Sequence, residues 1–202
     1  GGFNSTLFRT AIAWIKDKKS KGIEVKLMPI GKKASAFYKR SELDIIENFE
    51  DINTNDRQLE VSENVKNKIS ELFESQAIDE VSILYNKFVS AIAQEPTFKS
   101  LIPLEQSQPE EGSEETTNSS FEFEPDKNEL LEYLIPRNFM TQVYGCILES
   151  SAAEHAARMT SMDNATRNAG DMIDSLTMTY NRTRQAVITK ELIEIISGAE
   201  AV

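Results

Sequence analysis

The hydrophobic pattern of the last third of the chain predicts one long helix, from about Pro136 to Ala199. No proline follows Pro136, and a proline in the first turn of a helix costs no hydrogen bond. At 1.5 Å per residue, this helix would be roughly 95 Å long. Because that length exceeds the width of a small domain, we expect much of its surface to pack on another protein segment.

Within this helix, apolar or adaptable residues recur at alternating steps of four and three, which is the heptad pattern of a coiled-coil seam. The predicted seam residues are His155, Met159, Met162, Thr166, Ala169, Ile173, Leu176, Tyr180, Thr183 and Val187. The seam requires a partner helix. Because it contains a single leucine, we expect it to be a weak oligomeriser on its own.

Beyond the seam, apolar side chains point in nearly every direction around the predicted helix. They are Val187, Ile188, Leu192, Ile193, Ile195 and Ile196. A helix that is apolar all round is enclosed on all sides. Charged residues interrupt this run, which is shorter than the ~20 apolar residues of a membrane span. The pattern therefore predicts a helix tip inserted into a cavity of other proteins.

Polar residues mark the border of this tip. They are Arg182, Arg184, Gln185, Thr189, Lys190 and Glu191. They form either an ordinary solvated face or a zone of contact with the enclosing partner.

Upstream, helical and strand periodicities alternate in the order α-β-α-β-α-β-β. The predicted helices cover about residues 6–20, a short stretch after Gly31 through 37–38, and residues 59–76. The predicted strands cover 23–30, 43–49, 80–89 and 98–104. The last two strands are expected to form a hairpin-like pair. This order predicts a layered, Rossmann-like α/β domain with a mostly parallel sheet.

The segment before the long helix is acidic. Residues 105–135 hold ten Asp or Glu and one Lys, out of a net charge of −11 for the chain. Residues 106–120 lack large apolar side chains, which predicts a disordered or variable loop. We therefore expect an α/β domain over 1–125, with its acidic loop at about 105–120, and a helical part over 126–202.

Two short elements are predicted between this loop and the long helix, a strand at 121–124 and a helix at 125–134. The residue before a proline is disfavoured in the α region, so a kink or break is expected at Pro136.

The chain carries few residues suited to chemistry. Cys146 is the one cysteine and His155 the one histidine, so neither an internal disulfide nor a histidine-based metal site is expected. Gly1 and Gly2 precede a helix, where an anion can bind, but no GxGxxG or P-loop accompanies them and a simple turn is favoured. We expect no catalytic residue, cofactor, metal or nucleic-acid partner.

Several segments resemble the gamma subunit family of bacterial-type F-type ATP synthases. Residues 150–202 resemble that family's C-terminal helix, most clearly in EHAARMTSMDNATRNA and NRTRQAVITKELIEIISGA. The opening GGFNSTLF, YNKF at 85–88 and QVYGCILES at 142–150 are similar too. The resemblance extends from Gly1 to Val202 and is weakest in the acidic loop.

The resemblance implies a rotary shaft. In that family, two helices form an antiparallel coiled coil inside a ring of alpha and beta subunits, and the α/β domain joins the epsilon subunit and the membrane rotor ring. The implied location is peripheral, on the cytoplasmic face of the bacterial inner membrane. The implied role is mechanical coupling of proton flow to the catalytic beta subunits, so no activity of its own is expected.

The resemblance also implies particular contact residues. The family's polar contacts with the beta subunit fall on Arg184, Gln185, Thr189 and Glu191, beside the apolar Ile188, Leu192, Ile195 and Ile196. The family's N-terminal helix, which would be the seam's partner, and its first strand are expected before Gly1, so we expect the chain to be a fragment. The alternative is a nucleotide- or anion-binding α/β enzyme with a helical oligomerisation arm.

Overall fold

A computed structural model describes residues 2–41, 43–104 and 126–200 of the chain. Its elements are α1 (Gly2–Ser20), β1 (Lys26–Leu27), α2 (Lys32–Tyr38), β2 (Asp44–Ile45), α3 (Asn55–Glu74), β3 (Val81–Ser90), β4 (Ala93–Ile102) and α4 (Lys127–Glu200). The predicted order of helices and strands and the long C-terminal helix are confirmed. The predicted acidic loop and the strand at 121–124 lie outside the described residues.

The strands pair in two ways. β1 and β2 are parallel, with Lys26 opposite Asp44, and an isolated parallel bridge joins Ile30 to Phe49. β3 and β4 form an antiparallel hairpin, as expected. The chain is thus a mixed α/β fold. The sheet content differs from the mostly parallel sheet that was predicted. Most paired residues of the described chain belong to the antiparallel hairpin, and the two strand pairs form separate sheets.

β1 is much shorter than the strand predicted over 23–30. The alternation of side chains extends over the whole stretch, but a strand also needs a hydrogen-bonding neighbour. Pro29 has no N–H group to contribute to a ladder. Among the described strands, β1 has β2 as its only neighbour, so just Lys26 and Leu27 are paired as strand.

α3 begins four residues earlier than predicted, because a polar side chain caps it. The Thr54 hydroxyl accepts a hydrogen bond from the Arg57 N–H at 3.3 Å, which satisfies a donor that the first turn leaves free. The helix ends at Glu74, and Gln76 follows with a φ of 54°. Because the residues at both ends of α3 are polar, apolar periodicity alone does not locate its first and last residues.

α1 packs through aromatic side chains. Phe8 stacks on Phe37 of α2 with ring centroids 4.4 Å apart, and Trp14 stacks on Phe98 of β4 at 5.1 Å. Such pairs add about 0.5–1.5 kcal/mol beyond the area they bury. They fix α1 against α2 and against one side of the hairpin.

The main core lies between α3, β4 and the first part of α4. Its buried residues are Phe49, Val61, Val65, Ile69, Leu101, Ile102, Phe139, Val143 and Ile147. The three from α4 recur every fourth residue, so they lie along one face of that helix. This apolar stripe holds the start of α4 on the α/β fold.

α4 continues through Pro136, so the predicted break does not occur. Pro136 cannot donate the hydrogen bond that the helix would place on the Glu132 carbonyl. The core contacts of Phe139 and its neighbours lie one turn further on and support the helix across this gap. The separate helix predicted over 125–134 is the first part of α4.

The chain divides into two compact units, residues 1–157 and 158–202. The boundary predicted between residues 125 and 126 adjoins a stretch outside the described residues, and it stays a prediction.

Candidate interaction surface

The second unit is a helix whose apolar residues are in water. Every residue from 161 to 199 is exposed. Leu176 is 62% exposed and Ile195 is 68% exposed, although burying such a side chain yields about 1.5–3 kcal/mol. Contiguous apolar surface of this kind marks an interaction site.

The predicted seam residues lie on one face of α4. At about 100° per residue, all ten positions from His155 to Val187 fall within a stripe about 120° wide. On a straight helix this stripe rotates by about 20° per heptad, and so by about 80° between His155 and Thr183. A partner helix that follows the stripe must therefore wind around α4. The seam itself stays a prediction.

The predicted contact residues fall on two further stripes, which the sequence pattern alone did not separate. One consists of Arg184, Ile188, Glu191 and Ile195, and the other of Gln185, Thr189, Leu192 and Ile196. Each follows the spacing i, i+4, i+7, i+11 and is about 60° wide, and their centres lie about 100° apart. The first stripe alternates polar and apolar side chains, whereas the second has two polar residues followed by two apolar ones. The tip thus presents two mixed faces beside the seam.

The tip is not apolar in every direction. Its six apolar residues, from Val187 to Ile196, cover an arc of about 240° of the helix circumference. Lys190 and Glu194 occupy the remaining arc, where Nζ and Oε1 are 3.6 Å apart. Both side chains are exposed, so this pair contributes little to stability. The tip therefore has one polar edge, which leaves room for water on that side.

Two exposed methionines of the second unit were not among the predicted site residues. Met178 is 69% exposed and lies seven residues before Gln185, so it extends the second contact stripe toward the N-terminus. Met172 is exposed beside the seam, four residues before Leu176. The sequence does contain a signal for Met178, because this residue lies one heptad before the contact residue Gln185.

The first part of α4 has a different environment. Cys146 is buried there, and burial raises the pKa of its thiol, with nearby Glu149 acting in the same direction and Lys99 opposing it. Burial also raises the pKa of Tyr85 on β3, helped by the charges of Cys146 and Glu149. These groups lie between the hairpin and α4, where they pack the fold.

The described residues were also compared with the requirements of a metal site and of a membrane span. Residues 2–41, 43–104 and 126–200 contain no cluster of three or more His, Cys, Asp or Glu that could hold a metal ion. None of the helices in these ranges is long and apolar enough to span a membrane.

Comparisons with known proteins agree with this geometry. The family model described as ATP synthase matches residues 1–202. The ATP synthase gamma chain of Paramagnetospirillum magneticum is 46% identical over 202 residues, which are all of this chain and 69% of the relative. The chain belongs to the ATP synthase gamma chain family. The gamma chain of Paracoccus denitrificans is 43% identical, with all of this chain and 68% of that relative aligned.

Solved structures show the same fold. A chain of the Euglena gracilis mitochondrial ATP synthase in rotational state 3 matches all of this chain and 68% of its own length, with 20% identity and a TM-score of 0.58. A chain of the rotor of the same synthase in rotational state 1 matches 81% of this chain and 63% of its own, with 17% identity and a TM-score of 0.51. The gamma-family resemblance found in the sequence is confirmed.

Proposed function

We propose that this gamma chain works as the central-stalk subunit of a proton-translocating F-type ATP synthase and couples rotation of a membrane ring to ATP synthesis or hydrolysis in the beta subunits. The observation that carries the proposal is the exposure of every residue from 161 to 199 on a helix rich in Ile, Leu and Met. A shaft must offer apolar surface to a collar, and a helix serving only this chain would bury it.

The two contact stripes fit a collar of alpha and beta subunits. Each stripe carries apolar residues that a collar would cover and polar residues that can hydrogen-bond to its loops. Because the stripes lie about 100° apart, they meet different parts of an enclosing ring. A shaft with unlike faces can give three catalytic subunits three different environments.

The remaining contacts follow the same scheme. The seam from His155 to Val187 pairs with the N-terminal helix of the gamma chain in an antiparallel coiled coil. The α/β unit meets the epsilon subunit and the membrane rotor ring. The protein is peripheral, on the cytoplasmic face of the inner membrane, and nucleotide hydrolysis belongs to the beta subunits.

The test is proton pumping by an ATP synthase whose gamma chain carries these residues. Arg184→Ala removes the one cation of the first stripe, and we expect ATP-driven pumping to fall about threefold to tenfold while the complex still assembles. Arg167→Ala is the control, because Arg167 is also exposed but lies roughly 25 Å before Arg184 along the helix, N-terminal to every residue of both stripes, and bonds Asp163 and Asn164. Unchanged pumping in the Arg184 variant would contradict the contact assignment.

The two stripes can be tested separately. Leu192→Ala with Ile196→Ala shortens the second stripe, and Ile188→Ala with Ile195→Ala shortens the first. Each double variant should lower pumping per ATP hydrolysed, because both faces are used. If one double variant lost all proton pumping and the other lost none, the collar would contact only one of the two stripes.

The enzyme alternative makes a different prediction. An α/β enzyme would bind ATP through this chain alone, whereas a shaft would not. Isothermal titration of the purified chain with ATP separates the two, and tight, saturable binding would overturn the shaft proposal.

A further inference from the structure

Methionine is concentrated on the exposed part of α4. Of the six methionines of the sequence, four lie between residues 159 and 178. They are Met159, Met162, Met172 and Met178, and the side chain of each is more than half exposed. Met28, by contrast, is partly buried and packs against the main core. The methionines of this stretch are therefore open to small reagents dissolved in water.

These four methionines face different directions around the helix. Met159 and Met162 are two of the predicted seam residues. At about 100° per residue, Met178 lies about 160° from the centre of the seam stripe, and Met172 lies just outside its edge. A partner helix on the seam would cover Met159 and Met162 and leave Met178 open. The four side chains therefore report separately on the seam and on the opposite face.

Peroxide converts an exposed methionine into methionine sulfoxide. The thioether sulfur takes one oxygen atom from hydrogen peroxide as the O–O bond breaks, and water leaves. The sulfur is oxidised and the peroxide is reduced. Ile173 and Leu176 of the same seam carry no group that reacts in this way. The reaction therefore changes the polarity of Met159 and Met162 and leaves the aliphatic seam residues as they are.

A sulfoxide in the seam opposes pairing with another helix. A coiled-coil seam inserts each of its side chains into a hole formed by four residues of the facing helix. The S=O group is polar, and burying it there without a hydrogen-bond donor is unfavourable. Met159 and Met162 lie three residues apart, so two polar groups would enter neighbouring layers. The next seam residues, Thr166 and Ala169, are small and offer little apolar contact to offset them.

We propose that Met159 and Met162 are oxidation sites through which peroxide reversibly blocks pairing of the seam before the rotor assembles. Methionine sulfoxide reductases reverse the reaction. They remove the oxygen as water while a dithiol is oxidised to a disulfide. The proposal rests on the seam pairing proposed above. It concerns the unassembled chain, because a partner helix covers both side chains once the seam is paired.

The first test is the rate of oxidation at each methionine. The purified chain is treated with hydrogen peroxide, and mass spectrometry of its peptides follows each site. Met159 and Met162 should be oxidised at least about fivefold faster than Met28, which is the internal control because it packs against the core. Equal rates at the three sites would overturn the proposal.

The second test is binding of a seam partner. The probe is a labelled synthetic peptide with the sequence of the N-terminal helix of the Paramagnetospirillum magneticum gamma chain. We expect fluorescence anisotropy to show that the peroxide-treated chain binds this peptide at least about tenfold more weakly than the untreated chain. Sulfoxide reductase should restore the binding, and a lack of recovery would overturn the reversible block.

The two proposals fail in different ways in this experiment. No binding by the untreated chain would contradict the seam pairing of the shaft proposal. Equal binding by treated and untreated chains would overturn the oxidation proposal and leave the seam pairing intact. Peroxide added to the preformed complex should oxidise Met178 but spare Met159 and Met162. Oxidation of all three in the complex would show that the peptide does not cover the seam.

Paired leucine variants assign the effect to particular methionines. Met159→Leu with Met162→Leu keeps the apolar volume but cannot form a sulfoxide, so peroxide should change its peptide binding less than about twofold. The matched control is Met172→Leu with Met178→Leu, which removes two exposed methionines outside the seam. This control should stay as sensitive as the parent chain. Resistance in the control, with sensitivity in the seam variant, would contradict the assignment.

Discussion

The two parts of α4 have the same secondary structure and opposite surroundings. Between Phe139 and Ala153 the helix buries Phe139, Val143, Cys146, Ile147 and Ala153 against the α/β unit. From 161 to 199 it buries nothing, although it carries Leu176, Ile193 and other large apolar residues. Apolar content alone therefore does not tell whether this chain or another protein covers a helix.

The spacing of the apolar residues separates the two parts. In the packed part, Phe139, Val143 and Ile147 lie on one narrow face, as expected for a helix on a core. In the exposed part, apolar residues follow a seam and two further stripes. A helix that packs on one neighbour needs one apolar stripe, whereas a helix enclosed by several subunits needs apolar residues on several faces.

The largest expected difference between the two parts is in amide hydrogen exchange. In the purified chain, amides near Val143 and Ile147 should exchange at least about a thousandfold more slowly than in the unfolded chain, because they open only when the core does. Amides from about Ile173 to Ile193 should be protected less than about a hundredfold, since a helix without tertiary packing is marginal. Mass spectrometry of peptides from the exchanged chain measures both.

Assembly of the synthase should reduce this difference in amide protection between the two parts of α4. In the complete synthase, residues 173–193 should become protected as the collar covers them, since binding to the folded state adds its own free energy. Protection in the purified chain equal to that of the core would contradict the comparison.

The next largest expected difference is in the free energy of unfolding of two Ile→Ala variants, one in each part of α4. Ile147→Ala removes buried volume from the core and should lower the free energy of unfolding by about 2–4 kcal/mol. Ile193→Ala changes a side chain that is 58% exposed and should stay within about 0.5 kcal/mol. Urea unfolding followed by Trp14 fluorescence measures both variants. A loss above 1 kcal/mol in the second would place Ile193 in a core.

The smallest expected effect is on pH dependence. The pKa of Cys146 is raised in the folded chain, so the folded state keeps this proton longer than the unfolded state does. The stability linked to this group is complete below the ordinary thiol pKa of about 8.5 and is lost as pH rises above it. The free energy of unfolding should therefore fall more steeply above about pH 8.5 in the parent chain than in Cys146→Ala.

A second thiol serves as the control. Ser175→Cys in the Cys146→Ala background places a thiol on the exposed part of α4, where every neighbouring residue is in water. That thiol should not restore the steeper alkaline fall. Identical pH profiles of the parent and Cys146→Ala would show that burial of this thiol has no measurable linkage to folding.

Elements with a strong internal period were predictable, and elements that depend on a neighbour were not. The order of helices and strands follows from spacing alone, because 3.6- and 2-residue periods are local properties. The seam from His155 to Val187 rests on the same kind of spacing and stays a prediction. The strand over 23–30 was predicted too long, since its pairing depends on which chain lies beside Lys26 and Leu27. The break expected at Pro136 failed because a lost hydrogen bond there is outweighed by packing from Phe139 onward.

The sequence by itself determined the long C-terminal helix and the order of the helices and strands, and its motifs identified the gamma family. Only the tertiary structure decided where that helix stops being part of the core and that the strands pair in two separate sheets. Periodicity describes which residues share a face of an element. What covers that face depends on contacts between residues far apart in the chain, and no local pattern records them.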